Sequence, residues 1–124
     1  MRVFKTKDFA RYSRRERIAD MALCEVIARV ERGLIDADLG GGLIKQRVPR
    51  KGQGRSGGFR TLIAYRSLER SVFMHGFAKS DRDNISDSQL DVLRLAAKQA
   101  LEAEEEIVRS LLDAGEWKEI DCDV

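Results

Sequence analysis

Two cysteines, one histidine, one proline and one tryptophan in 124 residues leave this sequence short of the side chains from which many catalytic sites are built. Cys24 and Cys122 lie far apart and belong to no CxxC or Cys/His pair, so neither a zinc site nor a disulfide framework is indicated, and a reducing compartment fits best. With one histidine and scattered serines, no Ser/His/Asp spacing can be drawn. A second histidine or a carboxylate cluster beside the basic residues, as a metal would need, is missing too, and no cofactor is expected. There is no GKS or GKT, which excludes a P-loop. No window approaches the roughly 18 apolar residues of a membrane span, and the first residues contain no apolar core of signal-peptide length. The expectation is a soluble cytoplasmic protein without a membrane partner.

One further absence is local. Between Gly40 and Arg66 there is no acidic residue, while Lys45, Arg47, Arg50, Lys51, Arg55, Arg60 and Arg66 stand among seven of the ten glycines. Such one-sided charge repels itself unless a polyanion such as nucleic acid relieves it. The overall charge of +2 conceals this polarity. Residues Met1 to Lys79 carry 18 basic and 8 acidic side chains, net +10, whereas Ser80 to Val124 carry 5 and 13, net −8. A polyanion site on one surface and an acidic surface elsewhere, for a basic partner or for self-association, are the implication.

The length suits one domain. Val3 and Phe4 open a short strand over Arg2 to Thr6, and Lys7 to Arg17 reads as a short helix. Ala19, Ala22, Leu23, Val26, Ile27 and Val30 recur at helical spacing within Ile18 to Arg32, and Gly33 supplies the stop. Leu34 and Ile35 then lead into an acidic turn at Asp36 and Asp38. Leu43 to Val48 alternates as a strand that Pro49 closes, Phe59 to Arg66 alternates as a second, and Ser71 to Ala78 forms a third. Short connections make these antiparallel neighbours. Ser86 and Gln89 form a capping box, after which an apolar stripe from Leu90 to Leu112 predicts one long helix ending near Gly115. About 40 Å of helix overruns a domain this small. Its acidic end, within a segment 102–124, is covered either by Trp117 and Ile120 folding back or by another chain, which would make a homo-oligomer. The fold class is α+β: one short N-terminal strand, two helices, a three-stranded antiparallel meander and a long C-terminal helix, packed as helices on one sheet.

Gly52 to Gly57 spells GxGxxG, but a dinucleotide site needs this pattern to open a helix, and here a strand follows. The glycines look instead like a flexible hairpin tip carrying Arg50, Lys51 and Arg55. Lys45 and Arg47, two apart on one strand, leave the same face, and Arg60 on the next strand can converge with them on a phosphate. Arg66 shares a face with Arg60, Leu62 and Ala64 and joins Arg50, Lys51 and Arg55 as an RNA-binding candidate, with a surface salt bridge as its plainer role. His75 falls on the face of Ser71, Phe73 and Phe77, either as a structural residue or as a general acid or base. Lys79 and Arg82 follow, in a charged turn or beside the basic groove. Phosphoryl chemistry on cations alone favours RNA, whose 2′-hydroxyl is an internal nucleophile; the protein need only orient, neutralise and move protons.

Three runs carry a family likeness: GlyGlyGlyLeuIleLysGlnArgValPro, GlyArgSerGlyGlyPheArgThrLeuIleAlaTyrArg and PheMetHisGlyPheAlaLysSerAspArgAspAsnIle. Together, in this order, they resemble the RelE/HigB-like toxins of bacterial type II toxin–antitoxin systems, over roughly Val3 to Leu101. The resemblance implies a single RelE-like domain over 1–124, with 102–124 beyond the family pattern, and a ribosome-dependent mRNA endonuclease silenced by a cognate antitoxin. It puts the family's basic strand pair on Lys45 and Arg47 and its strand arginine on Arg60. The family's further arginine and tyrosine fall on Ser80 and Ser86, with Lys79 and Arg82 adjacent, so His75, Tyr65 and Lys79 compete for general base. A ParE-like gyrase inhibitor and a non-catalytic RNA-binding module are the alternatives.

Overall fold

The computed structural model describes residues 1–50, 54–78 and 85–122, and within these the side chains of all but residues 50 and 54–57. Strand β1 (Arg2–Thr6) leads into helices α1 (Lys7–Arg15) and α2 (Asp20–Glu31). Strands β2 (Ala37–Gly40), β3 (Leu43–Arg50), β4 (Gly54–Arg66) and β5 (Arg70–Ala78) follow, then α3 (Asp87–Glu102), α4 (Glu105–Asp113) and β6 (Trp117–Ile120). They form one six-stranded sheet in the order β2-β3-β4-β5-β1-β6, antiparallel except where β1 runs parallel to β5.

The expected meander is β3-β4-β5, but two strands join it that the sequence did not suggest. The segment read as an acidic turn contains β2, which pairs with β3 through Gly41 and Gly42, both at positive φ. That backbone is the two-residue hairpin geometry whose twist matches the strands it joins. At the other edge, β6 pairs with β1, so Trp117 and Ile120 do fold back onto the sheet.

The expected long helix is two helices. Ala103 is extended, at φ −60° and ψ 126°. The carbonyls of residues 100, 101 and 103, which a continuous helix would have given to the N–H groups four residues on, go elsewhere. Arg70 Nη1 donates to Ala100 O and Ala103 O, both at 2.8 Å, and Arg66 Nη1 donates to Leu101 O at 3.2 Å. Glu105 and Glu106 occupy the first turn of α4, where the positive end of the helix dipole favours them. The single long element on which self-association was expected is therefore absent. The capping box of α3 is present in both halves, Gln89 N to Ser86 Oγ and Ser86 N to Gln89 Oε1.

Helices cover both faces. Phe9, Leu23, Val26, Ile27 and Val30 of α1 and α2 bury against Ile44, Val48, Phe59, Ile63 and Phe73. Ala97, Ala100, Leu101 and Val108 of α3 and α4 bury against Phe4, Leu43, Leu62, Ala64 and Val72 on the other. Arg2 fastens the C-terminal elements, donating from Nε and Nη2 to Glu119, each at 3.0 Å, and from Nη1 to Glu105. Part of the acidic surplus is thus internal counter-charge.

The cysteines, expected to be unpaired, form a disulfide: Cys24 of α2 and Cys122 beyond β6, with Cα atoms 5.4 Å apart. The pairing of β6 with β1 brings together residues 98 apart in sequence, which no local spacing could announce. Among the described residues no helix is long and apolar enough to cross a membrane.

Candidate functional site

The register of β3, β4 and β5 assembles two neighbouring rows. Arg47 stands opposite Arg60, and Arg60 opposite Phe77; Lys45 stands opposite Leu62, and Leu62 opposite His75. Directly paired residues share a face, with Cβ atoms about 5 Å apart. Lys45, Arg47 and Arg60 therefore leave the sheet together on the α3 side, the face to which Leu43, Leu62 and Ala64 belong. Because β3 and β4 are long and paired without interruption from Leu43 to Val48, the three cations are held by ladder geometry rather than by a loop.

Their surroundings differ. Arg60 Nη1 is buried without a hydrogen-bond partner among the described residues. A buried charged donor left unpaired costs on the order of a few kcal/mol, a cost that an anion bound there would recover. Lys45 is half-buried and forms no ion pair with a described carboxylate. Arg47 faces a carboxylate: its Nε lies 3.8 Å from Asp36 Oδ2, and its backbone N–H donates to the same oxygen at 2.8 Å. Among the described residues no three His, Cys, Asp or Glu side chains gather as ligands for a cation.

His75 reaches the same region by a different route from the expected one. Ile63 pairs with Phe73 and Leu62 with His75, so Met74 is an extra residue, a bulge that breaks the alternation. Phe73 consequently packs with α1 and α2, while Phe77 packs with the opposite cluster. The His75 ring lies 5.9 Å from that of Phe77. Displacement of water from the imidazole lowers its pKa below the ordinary 6.5, and Asp8 pulls the other way. Gly76 beside it admits the ring of Tyr12, which a Cβ would meet at 2.4 Å.

The other expected residues separate into two groups. Lys51, Lys79 and Arg82, and the side chains of Arg50 and Arg55, lie outside what the structure describes. Arg66 stands at the far end of β4 with its guanidinium on Leu101 O, away from Arg60. Tyr65, a competitor for general base, packs on the α1–α2 side and donates to Glu31 Oε2. Burial and that carboxylate raise its pKa, which makes it a poorer base at neutrality. The second half of the GxGxxG match, from Gly54, belongs to strand β4 and not to a helix.

Sequence reasoning missed Arg29 and Asp36. Arg29 Nη2 donates to Arg47 O at 3.0 Å, so a residue of α2 touches the strand that bears the patch. Neither residue has a local signal: Arg29 sits on an amphipathic helix and Asp36 in a connection, and only the β2–β3 pairing unites them with Arg47. The family model described as the RelE toxin of the RelE/RelB toxin–antitoxin system matches residues 1–120, from β1 through β6. No curated protein matches the chain.

Proposed function

The chain belongs to the RelE toxin family of toxin–antitoxin systems, and from that premise we propose that it is an endoribonuclease that cuts messenger RNA on the ribosome, in the cytoplasm. A cognate antitoxin is the partner that such a system implies. Residues 1–124 act as one toxin domain.

The observation that carries the reading is the buried Nη1 of Arg60, without a partner among the described residues, on a strand position opposite Arg47. A scissile phosphate placed there receives Arg60, Arg47 and Lys45 on the oxygens that gain charge during displacement. The 2′-oxygen attacks the adjacent phosphorus, forming a 2′-O–P bond as the P–O5′ bond breaks. The products are a 2′,3′-cyclic phosphate and a 5′-hydroxyl. His75, whose imidazole pKa is shifted downward by partial desolvation, accepts the proton of the 2′-hydroxyl. Lys45 gives a proton to the departing 5′-oxygen. Lys79 and Arg82 are further candidates for the chemistry, and Arg50, Lys51 and Arg55 grip the RNA backbone. Their contribution is sequence-independent and salt-sensitive.

Mapping the 5′ ends of cellular messages after brief induction tests the reading. Cuts confined to translated frames support it. Intact messages with a DNA-damage response would assign the patch to gyrase inhibition instead, and uncut RNA bound with steep salt dependence would leave a binding module.

A further inference from the structure

Beside Arg47, where α2 ends and β3 begins to pair with β2, lies a cavity of about 340 Å3 lined by Arg29, Leu34, Ile35, Asp36, Arg47 and Pro49. Its volume falls within the range of small-ligand sites, at the small end. Its wall is fixed from within by Gln46, which is fully buried. The Gln46 side chain accepts from Asp36 N at 2.6 Å and donates to Leu34 O at 3.3 Å, bracing the connection between α2 and β2 against β3.

We propose that this cavity holds a guanine base of the RNA strand whose phosphate lies on Arg47 and Arg60. The inference rests on the endonuclease reading for its substrate class, but the recognition follows from the lining. Leu34 and Ile35 keep 55% and 36% of their surface exposed, and with Pro49 they offer apolar contact to the faces of a planar ring. Asp36 spends Oδ2 on the Arg47 N–H and keeps Oδ1 to accept. Guanine alone among the RNA bases presents two adjacent donors, N1–H and N2–H, on its pairing edge, and single-stranded RNA is read on such edges. Arg29 commits Nη2 to Arg47 O and retains further N–H donors, which suit the O6 and N7 acceptors of guanine. Adenine and cytosine turn a ring-nitrogen acceptor toward the carboxylate where guanine turns N1–H, and uracil has one donor between two carbonyls. Arg47 is common to cavity and patch, so base and phosphate of one nucleotide can be held together.

The test is an NMR titration of the full chain with 5′-GMP, 5′-AMP, 5′-CMP and 5′-UMP. GMP is expected to bind at least tenfold tighter than the other three and to shift the backbone N–H signals of Leu34 and Asp36 and the Nε–H signal of Arg29. Asp36→Asn keeps an oxygen for Arg47 N–H but presents an amide donor to the base; it should weaken GMP at least tenfold and reduce its lead over AMP to twofold or less. Equal affinity for all four nucleotides, or undiminished guanine preference in Asp36→Asn, would overturn the proposal. Because binding is read without cleavage, a chain that selects GMP but cuts no message would refute the endonuclease and leave the pocket standing.

Discussion

Strand β4 carries Arg60 at its middle and Arg66 at its end, and the two are used in opposite ways. Arg66, with its neighbour Arg70 across the turn, places its guanidinium on carbonyls at the end of α3 and so fixes where that helix stops. Arg60, six residues earlier on the same face, keeps a buried nitrogen without a partner among the described residues. Around the first pair the molecule is stitched: Arg2 to Glu119 and Glu105, Cys24 to Cys122, β6 to β1. Around Arg60 no described acceptor reaches Nη1. Identical chemistry thus serves the fold where acceptors are supplied from within, and under the proposed function a phosphate would take that place at Arg60.

The largest effect should come from unpicking the stitched side. Reducing the Cys24–Cys122 bond, which closes 98 residues of chain, should lower unfolding free energy by about 2–5 kcal/mol, read as a shift in the denaturant midpoint. Hydrogen exchange should quicken first in β6. An unchanged midpoint would show that β6 holds without its tether.

On the open side the loss should fall on activity. Arg60→Ala should reduce RNA cleavage on the order of 100- to 1000-fold, as removing a donor to a developing oxyanion does, with no loss of stability. If it instead destabilises the fold as Arg70→Ala does, the contrast between the two regions collapses. Arg70→Ala should cost about 1–3 kcal/mol, because it strips a shared donor from Ala100 O and Ala103 O at the break between α3 and α4. Chemical denaturation measures it, and helical signal should be lost with it.

The smallest effect sharpens His75. Its folded pKa lies below the unfolded 6.5, so the unfolded chain binds the extra proton. Its contribution to stability is therefore fully present above pH 6.5 and is lost as pH falls from there toward the folded pKa. His75→Gln should flatten that slope. If the wild-type chain cleaves RNA with His75 as base, the cleavage rate should rise with pH and level off below neutrality, as a neutral imidazole base requires.

The parts of this molecule that local pattern determines were legible in its sequence. Helical spacing and Gly33 delimited α2, the Ser86–Gln89 box began α3, and alternation identified the strands that carry Lys45, Arg47 and Arg60 on one face. Features set by distant partners were not. The end of α3 depends on Arg66 and Arg70, and without them the apolar stripe reads straight through the four glutamates. Those glutamates were nonetheless a signal, since Glu105 and Glu106 mark a helix start. The bulge at Met74 shifts Phe77 onto the Arg60 row by one inserted residue, which alternation alone assigns to the wrong face. Asp36 and Arg29 joined the site through the β2–β3 pairing, and the disulfide formed through the β1–β6 pairing.

The proposed use of Arg60, whose Nη1 has no partner among the described residues, is to hold a phosphate. Mapping message 5′ ends after matched induction of the wild-type chain and of folded Arg60→Ala tests it most directly. The account predicts translation-linked cuts with the wild type and their near disappearance in the variant at equal protein level. Equal cutting by both would contradict it.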